Sequence, residues 1–388
     1  MVIYKKKEVS MKKIGIIAEY NPFHNGHLYQ IEQIKKKYKD STIIVVMNGN
    51  YTQRGEVTIV DKWQRAKVAL NEGVDLIVEL PYPFSTQSAD YYAYGAITIL
   101  EKLGCTKLIF GSVSDNIEDL HLIAKAGLDD QVNELIKVYC KLGNNYPTAI
   151  SQAIEDITGK RIDTPNDLLG ISYIKTIIKN NYKIKPETIK RTNNYHSLET
   201  NNKISSASAI RNLIKDNTPF QEFIPKNTLS INETFHNIED YFSLLKYKII
   251  TEENLDKYQT VDLTYSKKIK KVINECQTRD ELIHLLKKKH DTYNKISRML
   301  LHILCNFTKE KANTFKDITY IRILGFNTKG REYLNIIKKN IDIPIISKIN
   351  KNKDQMLEFE LETSKIYDIP YQGNSYEKEY NRKEQKND

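Results

Sequence analysis

The chain has 388 residues, 40% of them hydrophobic and 28% charged, and a formal net charge of +10. That length suits two domains, and the composition excludes a wholly disordered chain. No apolar run approaches the ~18 residues of a membrane span, and residues 1–10 (MVIYKKKEVS) lack the apolar stretch of a signal peptide.

Residues 1–10 read as an extension, because the apolar pattern starts only after Met11. The run 14–18 predicts a first strand, and 26–38 a helix. Residues 42–47 (TIIVVM) predict a buried strand, 61–72 a helix capped by Asp61, and 74–80 a strand ended by Pro81. A helix over 90–103 and a strand over 107–110 continue the rhythm. Short apolar strands alternating with helices predict βαβ units, a parallel sheet and, with right-handed crossovers, a doubly wound α/β fold.

Residues 117–142, 147–158 and 166–180 read as helices, 188–191 as a last strand, and 206–214 as a further helix. The stretch 216–225 contains Pro219 and Pro225 and predicts the domain boundary. A catalytic domain over 11–217 would then precede a mainly helical, basic domain over 218–388. That second half includes short apolar runs over 318–350 and a frayed polar tail after Tyr371. The four cysteines (Cys105, Cys140, Cys276, Cys305) lie far apart with no CxxC pair. Neither a zinc site nor a disulfide framework is expected, and the cytoplasm is the simplest compartment.

Charge is uneven. Residues 251–350 alone carry +8. A localised basic region points to a polyanionic partner through counterion release. Its candidate contacts are Lys267, Lys268, Lys270, Lys271, Lys287, Lys288 and Lys289, with Arg322, Lys329 and Arg331 around a glycine turn. Any single lysine among them is more readily explained as a solvated surface group.

The segment from Glu19 to His27 (EYNPFHNGH) follows the first strand and opens the first helix. That position in a doubly wound sheet is where nucleotides bind, and a helix N-terminus offers free N–H groups to phosphate. Gly26 lets backbone approach a ligand. His24 and His27, three residues apart, reach the same phosphate as donors. This placement of HxGH resembles the nucleotidyltransferases related to class I aminoacyl-tRNA synthetases. Their second signature, ISSTxIR, is matched in part by Ser205–Arg211: Ser206, Ser208 and Arg211 keep their slots, and Ala207 replaces a serine.

Beyond these motifs, the segments GNYTQRGEVTIVDKWQRAKVAL, GVDLIVELP, LIFGS, PNDLLGISYIK, IKRTNNYHS and YIRILGFNTKGREYL resemble the tRNA(Met) cytidine acetate ligases from Met11 to about residue 350. The resemblance implies use of ATP and acetate to make N4-acetylcytidine at the wobble position of elongator tRNA(Met). It implies ATP contacts at Ile17, Ala18, Glu19, Tyr20, Asn21, Pro22, Phe23, His24, Asn25, Gly26, His27, Leu28, Tyr29 and Gln30, and at Gly111, Asn166 and Arg191. His24, His27 and Arg211 are the expected catalytic groups.

Acetate is already ionised at neutral pH (carboxyl pKa values lie around 4), so its attack on ATP needs no general base. Mg²⁺ is expected on the phosphates, but no local acidic cluster names its ligands. For the acetyl-transfer step, Glu19 is the nearest candidate base, with a backbone-capping carboxylate the plainer reading. Arg54 is a candidate for acetate or phosphate and Trp63 for a pocket wall, against the plainer reading of a capped helix with a packed Trp63. No membrane or protein partner is implied. Alternatives are another HxGH adenylyltransferase with a small-molecule acceptor, or a non-catalytic RNA-binding protein.

Overall fold

The computed structural model describes residues 12–161, 164–191, 203–226, 228–229, 234–349 and 354–380. The expected extension over 1–10 and all of the NNYHS segment lie outside them. The framework is a seven-stranded sheet in the order β5-β4-β1-β2-β3-β6-β7. The strands are β1 (Lys13–Ala18), β2 (Thr42–Asn48), β3 (Leu76–Leu80), β4 (Lys107–Ser112), β5 (Lys185–Lys190), β6 (Ile321–Phe326) and β7 (Ile345–Ile346). β1 to β5 pair in parallel throughout.

Strand β2 explains why the sheet is covered on both faces. All seven of its residues are buried. Ile43, Val45 and Met47 pack on one face, with helix α1 (Asn25–Lys37) and helix α2 (Lys62–Asn71). Ile44 and Val46 pack on the other, with Ala93, Ile97 and Leu100 of the helix Ala89–Lys102. The period-2 alternation of a strand places successive side chains on opposite faces, and both are apolar here, as a central parallel strand requires.

Two features depart from the expected division at 217/218. First, β6 pairs antiparallel with β3, and β7 follows it, so residues 321–346 complete the first domain's sheet. The run ITYIRILGF is an added edge to that sheet, a pairing over more than 240 residues of chain. Second, residues 372–380 of the tail are docked: Ser375 and Glu379 are buried. The helical part is a separate core around Leu255, Ile269, Leu282 and Leu300, from the helices Phe242–Thr251, Leu263–Val272, Arg279–Leu286 and Tyr293–Leu304. Tyr51, Val57 and Tyr82 from the first half insert into it. The expected helix over 117–142 is two, Ile117–Ala126 and Asp130–Lys141, because Asp129 caps the second.

Candidate active site

The carboxyl ends of β1, β2 and β4 form the floor of the site. Past β1 the chain turns through Tyr20, which has a positive φ of 49°, and a cis Asn21–Pro22 bond. His24 is the N-cap of α1. Its Nδ1 accepts from the Gly26 N–H at 3.1 Å, and the Nδ1 of His27 accepts from the His24 N–H at 3.2 Å. With both Nδ1 atoms occupied as acceptors, each neutral ring carries its proton on Nε2 and presents an N–H donor. The rings stack at 3.7 Å between centroids. A Cβ on Gly26 would lie 2.9 Å from His24 Cε1, so the glycine makes room for the folded-back imidazole.

Burial, helped by neighbouring cations, keeps both rings neutral. Burial, then Arg191 and Arg211, hold His24 down at about 3. Burial, then His24 and Arg191, hold His27 well below the ordinary histidine range. The site is thus two neutral donors between two permanent cations, which suits a polyanion.

The remaining motif residues divide into two groups. Tyr20, Asn21, Pro22, Phe23 and Asn25 are buried and build the turn. The Tyr20 ring packs edge-on against His27 at 4.8 Å. Asn21 Oδ1 accepts from the Ile59 N–H, and Asn25 Nδ2 donates to the Lys203 and Glu222 carbonyls. Ile17, Ala18, Glu19, Gly26, His27, Leu28, Tyr29 and Gln30 are half-buried. Gln30 ties α1 to β4 through the Ile109 carbonyl.

Gly111 lies in β4, where a Cβ would come 3.1 Å from Arg191 Cγ. Arg191 follows β5, its N–H bonded to the Ser112 carbonyl at 2.9 Å. Asn166 is in the first turn of the helix Pro165–Lys179. The adjacent Asp167 carboxylate accepts from Ser112 Oγ, Val113 N and Ser114 N and locks that turn onto the end of β4. Ser206 caps the helix Ala207–Lys215, with its Oγ 3.1 Å from Ser208 Oγ. Arg211 reaches across to the first motif and donates to the Asn21 carbonyl at 2.9 Å. Both predicted motifs therefore converge on one cleft.

The QRG segment is the tip of a hairpin, closed by a Tyr51–Val57 bridge. The Gln53 N–H donates to Glu19 Oε1 at 2.8 Å, and Glu56 lies 3.7 Å from Arg211. Arg54 is exposed at that tip. Trp63 is not a pocket wall. It is buried in the core beside α1, and its Nε1 donates to the Ser375 carbonyl.

Two buried cations of the same segment escaped sequence reasoning. The Arg65 guanidinium bonds the Glu19, Asn48, Gly49 and Val60 carbonyls, pinning the ends of β1 and β2 together. Lys62 is fully buried, 2.6 Å from both Glu79 and Glu379. A buried polar stripe on a helix gives no periodic signal, so only the unusual pairing of Lys62 with Arg65 next to the sole tryptophan marked it.

The expected RNA contacts are scattered by the fold. Arg322 is buried, 3.3 Å from Glu379 and stacked 5.6 Å over Trp63, so it faces no partner. Lys329 donates to the Ser41 carbonyl ahead of β2, at the end of the sheet opposite the cleft. Arg331 is exposed on the same helix, Thr328–Ile337. Lys267, Lys271, Lys287 and Lys289 are exposed and adjoin, because Lys268 Nζ bonds the Leu286 carbonyl. Lys270 bonds the Glu253 carbonyl, and Lys288 lies over the Tyr265 ring. No helix among the described residues is long and apolar enough to cross a membrane.

Known proteins resemble this chain along nearly its whole length. Residues 11–383 match the HIGH Nucleotidyl Transferase family. A tRNA(Met) cytidine acetate ligase of Anoxybacillus flavithermus is 38% identical over 378 residues, 92% of this chain and 94% of its own length. The one from Clostridium acetobutylicum is 37% identical over 385 residues, 92% and 96% of the two chains. The crystal structure of Thermotoga maritima TmcAL bound with alpha-thio ATP superimposes with a TM-score of 0.84 at 29% identity, over 94% of this chain and 95% of that one. The likeness takes in the histidine motif, the whole sheet and the helical part together, and this protein belongs to the tRNA(Met) cytidine acetate ligase family of HIGH nucleotidyl transferases.

Proposed function

We propose that this protein ligates acetate to the N4 amine of the wobble cytidine of elongator tRNA(Met), with cleavage of ATP. The observation that carries the reading is the pair of neutral Nε2–H donors, His24 and His27, set at a helix N-terminus between Arg191 and Arg211. In the first step an acetate oxygen attacks the ATP α-phosphorus, the bond to the bridging oxygen breaks, and pyrophosphate leaves. The two imidazoles and two guanidiniums stabilise charge that grows on the phosphate oxygens. Neutral histidines suit this role, because no proton has to be moved while acetate attacks. In the second step the cytosine amine attacks the acetyl carbonyl, the carbon–oxygen bond to AMP breaks, and one N4 proton is lost.

Gly111, Asn166 and the end of β1 would take the nucleoside, and Ser206 and Ser208 the distal phosphates. The adjoining lysines of the helical part, Lys267, Lys271, Lys287 and Lys289, would meet the tRNA backbone. Magnesium would enter with the ATP phosphates. Among the described residues no three His, Cys, Asp or Glu side chains converge to hold a metal ion, so no step is assigned to it.

The test is incorporation of labelled acetate into bulk tRNA with ATP, intact protein against a His24→Ala, His27→Ala double variant. Label from the intact protein alone supports the reading. No label, but ATP–pyrophosphate exchange with acetate, keeps the adenylation and overturns the acceptor. Neither signal overturns both.

A further inference from the structure

Glu19 is an anomaly in this cleft. A site that gathers a triphosphate and acetate is built from donors and cations, and a carboxylate at its floor repels both. The structure nonetheless holds it firmly. Glu19 Oε1 accepts from the Gln53 N–H at 2.8 Å and from Asn48 Nδ2 at 3.4 Å. Asn48 is itself fixed: its Oδ1 accepts from Tyr92 OH at 2.9 Å and its Nδ2 donates to the Tyr51 carbonyl. The Glu19 main chain is clamped by Arg65, whose Nη1 donates to its carbonyl. Both donors take the same oxygen. Among the described residues, none donates to Oε2, and Oε2 is not a sealed, unsatisfied atom. Glu19 is half-buried, so this oxygen keeps access to solvent at the carboxyl end of β1.

We propose that Glu19 Oε2 receives the proton that the cytosine N4 amine loses during acetyl transfer. The inference rests on the ligase reading above and deepens it. Of the three reactants, acetate and the triphosphate are anions, and the cytosine amine offers N–H to an acceptor. The bookkeeping of atoms closes on that step: the N4–carbon bond forms, the carbon–oxygen bond to AMP breaks, and the leaving N4 proton passes to Oε2 and then to water. Glu19 stands one residue past β1, between the histidine motif and the hairpin tip, so it borders the point where an acyl group on the α-phosphate would lie. Burial raises its carboxyl above the ordinary range, against the Gln53 N–H, Arg211 and Arg54, which pull it down. The raised value makes it a better proton acceptor at neutral pH.

The experiment separates the two half-reactions. ATP–pyrophosphate exchange with acetate reads the first. Single-turnover transfer to tRNA from chemically made acetyl-adenylate reads the second and bypasses ATP. The expected result for Glu19→Gln is a fall of about 100-fold or more in transfer relative to exchange, within the range general bases provide. The rise of the transfer rate with pH that Glu19 gives the intact protein should also disappear. Glu19→Asp should recover part of the transfer. Equal losses in both reactions, or a raised KM for ATP in exchange alone, would assign Glu19 to nucleotide binding and overturn the proposal. Failure of the intact protein to acetylate tRNA at all would instead strike the ligase reading. A thermal midpoint for each variant identifies a folding defect, and transfer is then compared among the folded variants only, where an unchanged Glu19→Asp and Glu19→Gln rate also overturns the proposal.

Discussion

Acid should unfold this protein through histidines that are buried neutral, and His302 isolates the effect. His302 is fully buried, far along the chain from the cleft, with Nδ1 3.2 Å from Tyr82 OH and no partner for Nε2 among the described residues. Burial, then Arg298, hold it at about 3, and His24 is likewise held at about 3. The unfolded chain takes up a proton at each near pH 6.5, and the folded chain does not until near pH 3. Stability therefore falls as pH drops through that window, because the unfolded state binds more protons. By linkage the loss between pH 7.5 and 5.0 is about 2 kcal/mol for each of these two residues. His302→Phe keeps a ring between Tyr82 and Phe307 and removes one titration. Tyr82 OH loses a partner in this variant, which shifts stability at every pH, so the pH dependence is the readout. Urea unfolding followed by Trp63 fluorescence at the two pH values should show the variant losing about 2 kcal/mol less than the intact protein. Equal losses would refute the claim that His302 is held neutral.

Other substitutions test the site and its supports. His24→Asn keeps a good N-cap residue and removes the Nε2–H donor, so ATP–pyrophosphate exchange should drop by about 10²–10³ while the melting midpoint stays near that of the intact protein. Lys62→Met leaves Glu79 buried without its cation and Glu379 with Arg322 alone; the expected cost is about 3–5 kcal/mol in urea unfolding. Gly55→Ala puts a Cβ 2.4 Å from the Arg298 backbone nitrogen at a φ of +86°; strain of about 1–3 kcal/mol should lower the melting midpoint and slow exchange and transfer together. Replacing Lys267, Lys271, Lys287 and Lys289 with alanine should reduce the slope of log affinity for tRNA against log salt by up to about 0.7–0.9 for each phosphate left unneutralised, measured by filter binding. An unchanged slope would remove these lysines from the tRNA surface.

The parallel core was legible because each strand is a short apolar run between helical patterns, and the HNGH segment because it falls at the first such junction. Both depend on residues close in sequence. What stayed hidden depends on distant partners. Strand β6 carries Arg322 in the middle of an apolar run, and a charged residue there reads as a surface group until Glu379 and Trp63 are known to meet it. The same holds for Lys62, whose charge is answered by Glu79 and Glu379 from the two halves of the chain. The tail read as frayed for the mirror reason: its glutamate looks solvated unless the buried lysine is in view. Counting cations in the C-terminal half therefore overstates its exposed positive charge, since Arg322 balances Glu379 in the interior.

The hairpin over 51–57 explains why the two halves cannot be treated as separable parts. Its Gln53 N–H holds Glu19, and Glu56 lies beside Arg211. The Gly55 carbonyl accepts from Arg279 Nη2 at 2.8 Å and from Ser297 Oγ at 2.9 Å, both on the helical part. The hairpin tip is thus fixed from the side that carries the exposed lysines and presses on the side that carries the chemistry. Cutting the chain at 251 would remove Arg279 and Ser297 from the hairpin, and β6 from the sheet edge, along with the lysines. A truncation that lost tRNA binding would lose the adenylation site as well and could not say which came first. Point substitutions at the lysines leave the hairpin braced, and Gly55→Ala disturbs the brace and leaves the lysines. The two together separate where tRNA is held from how the helical part shapes the cleft.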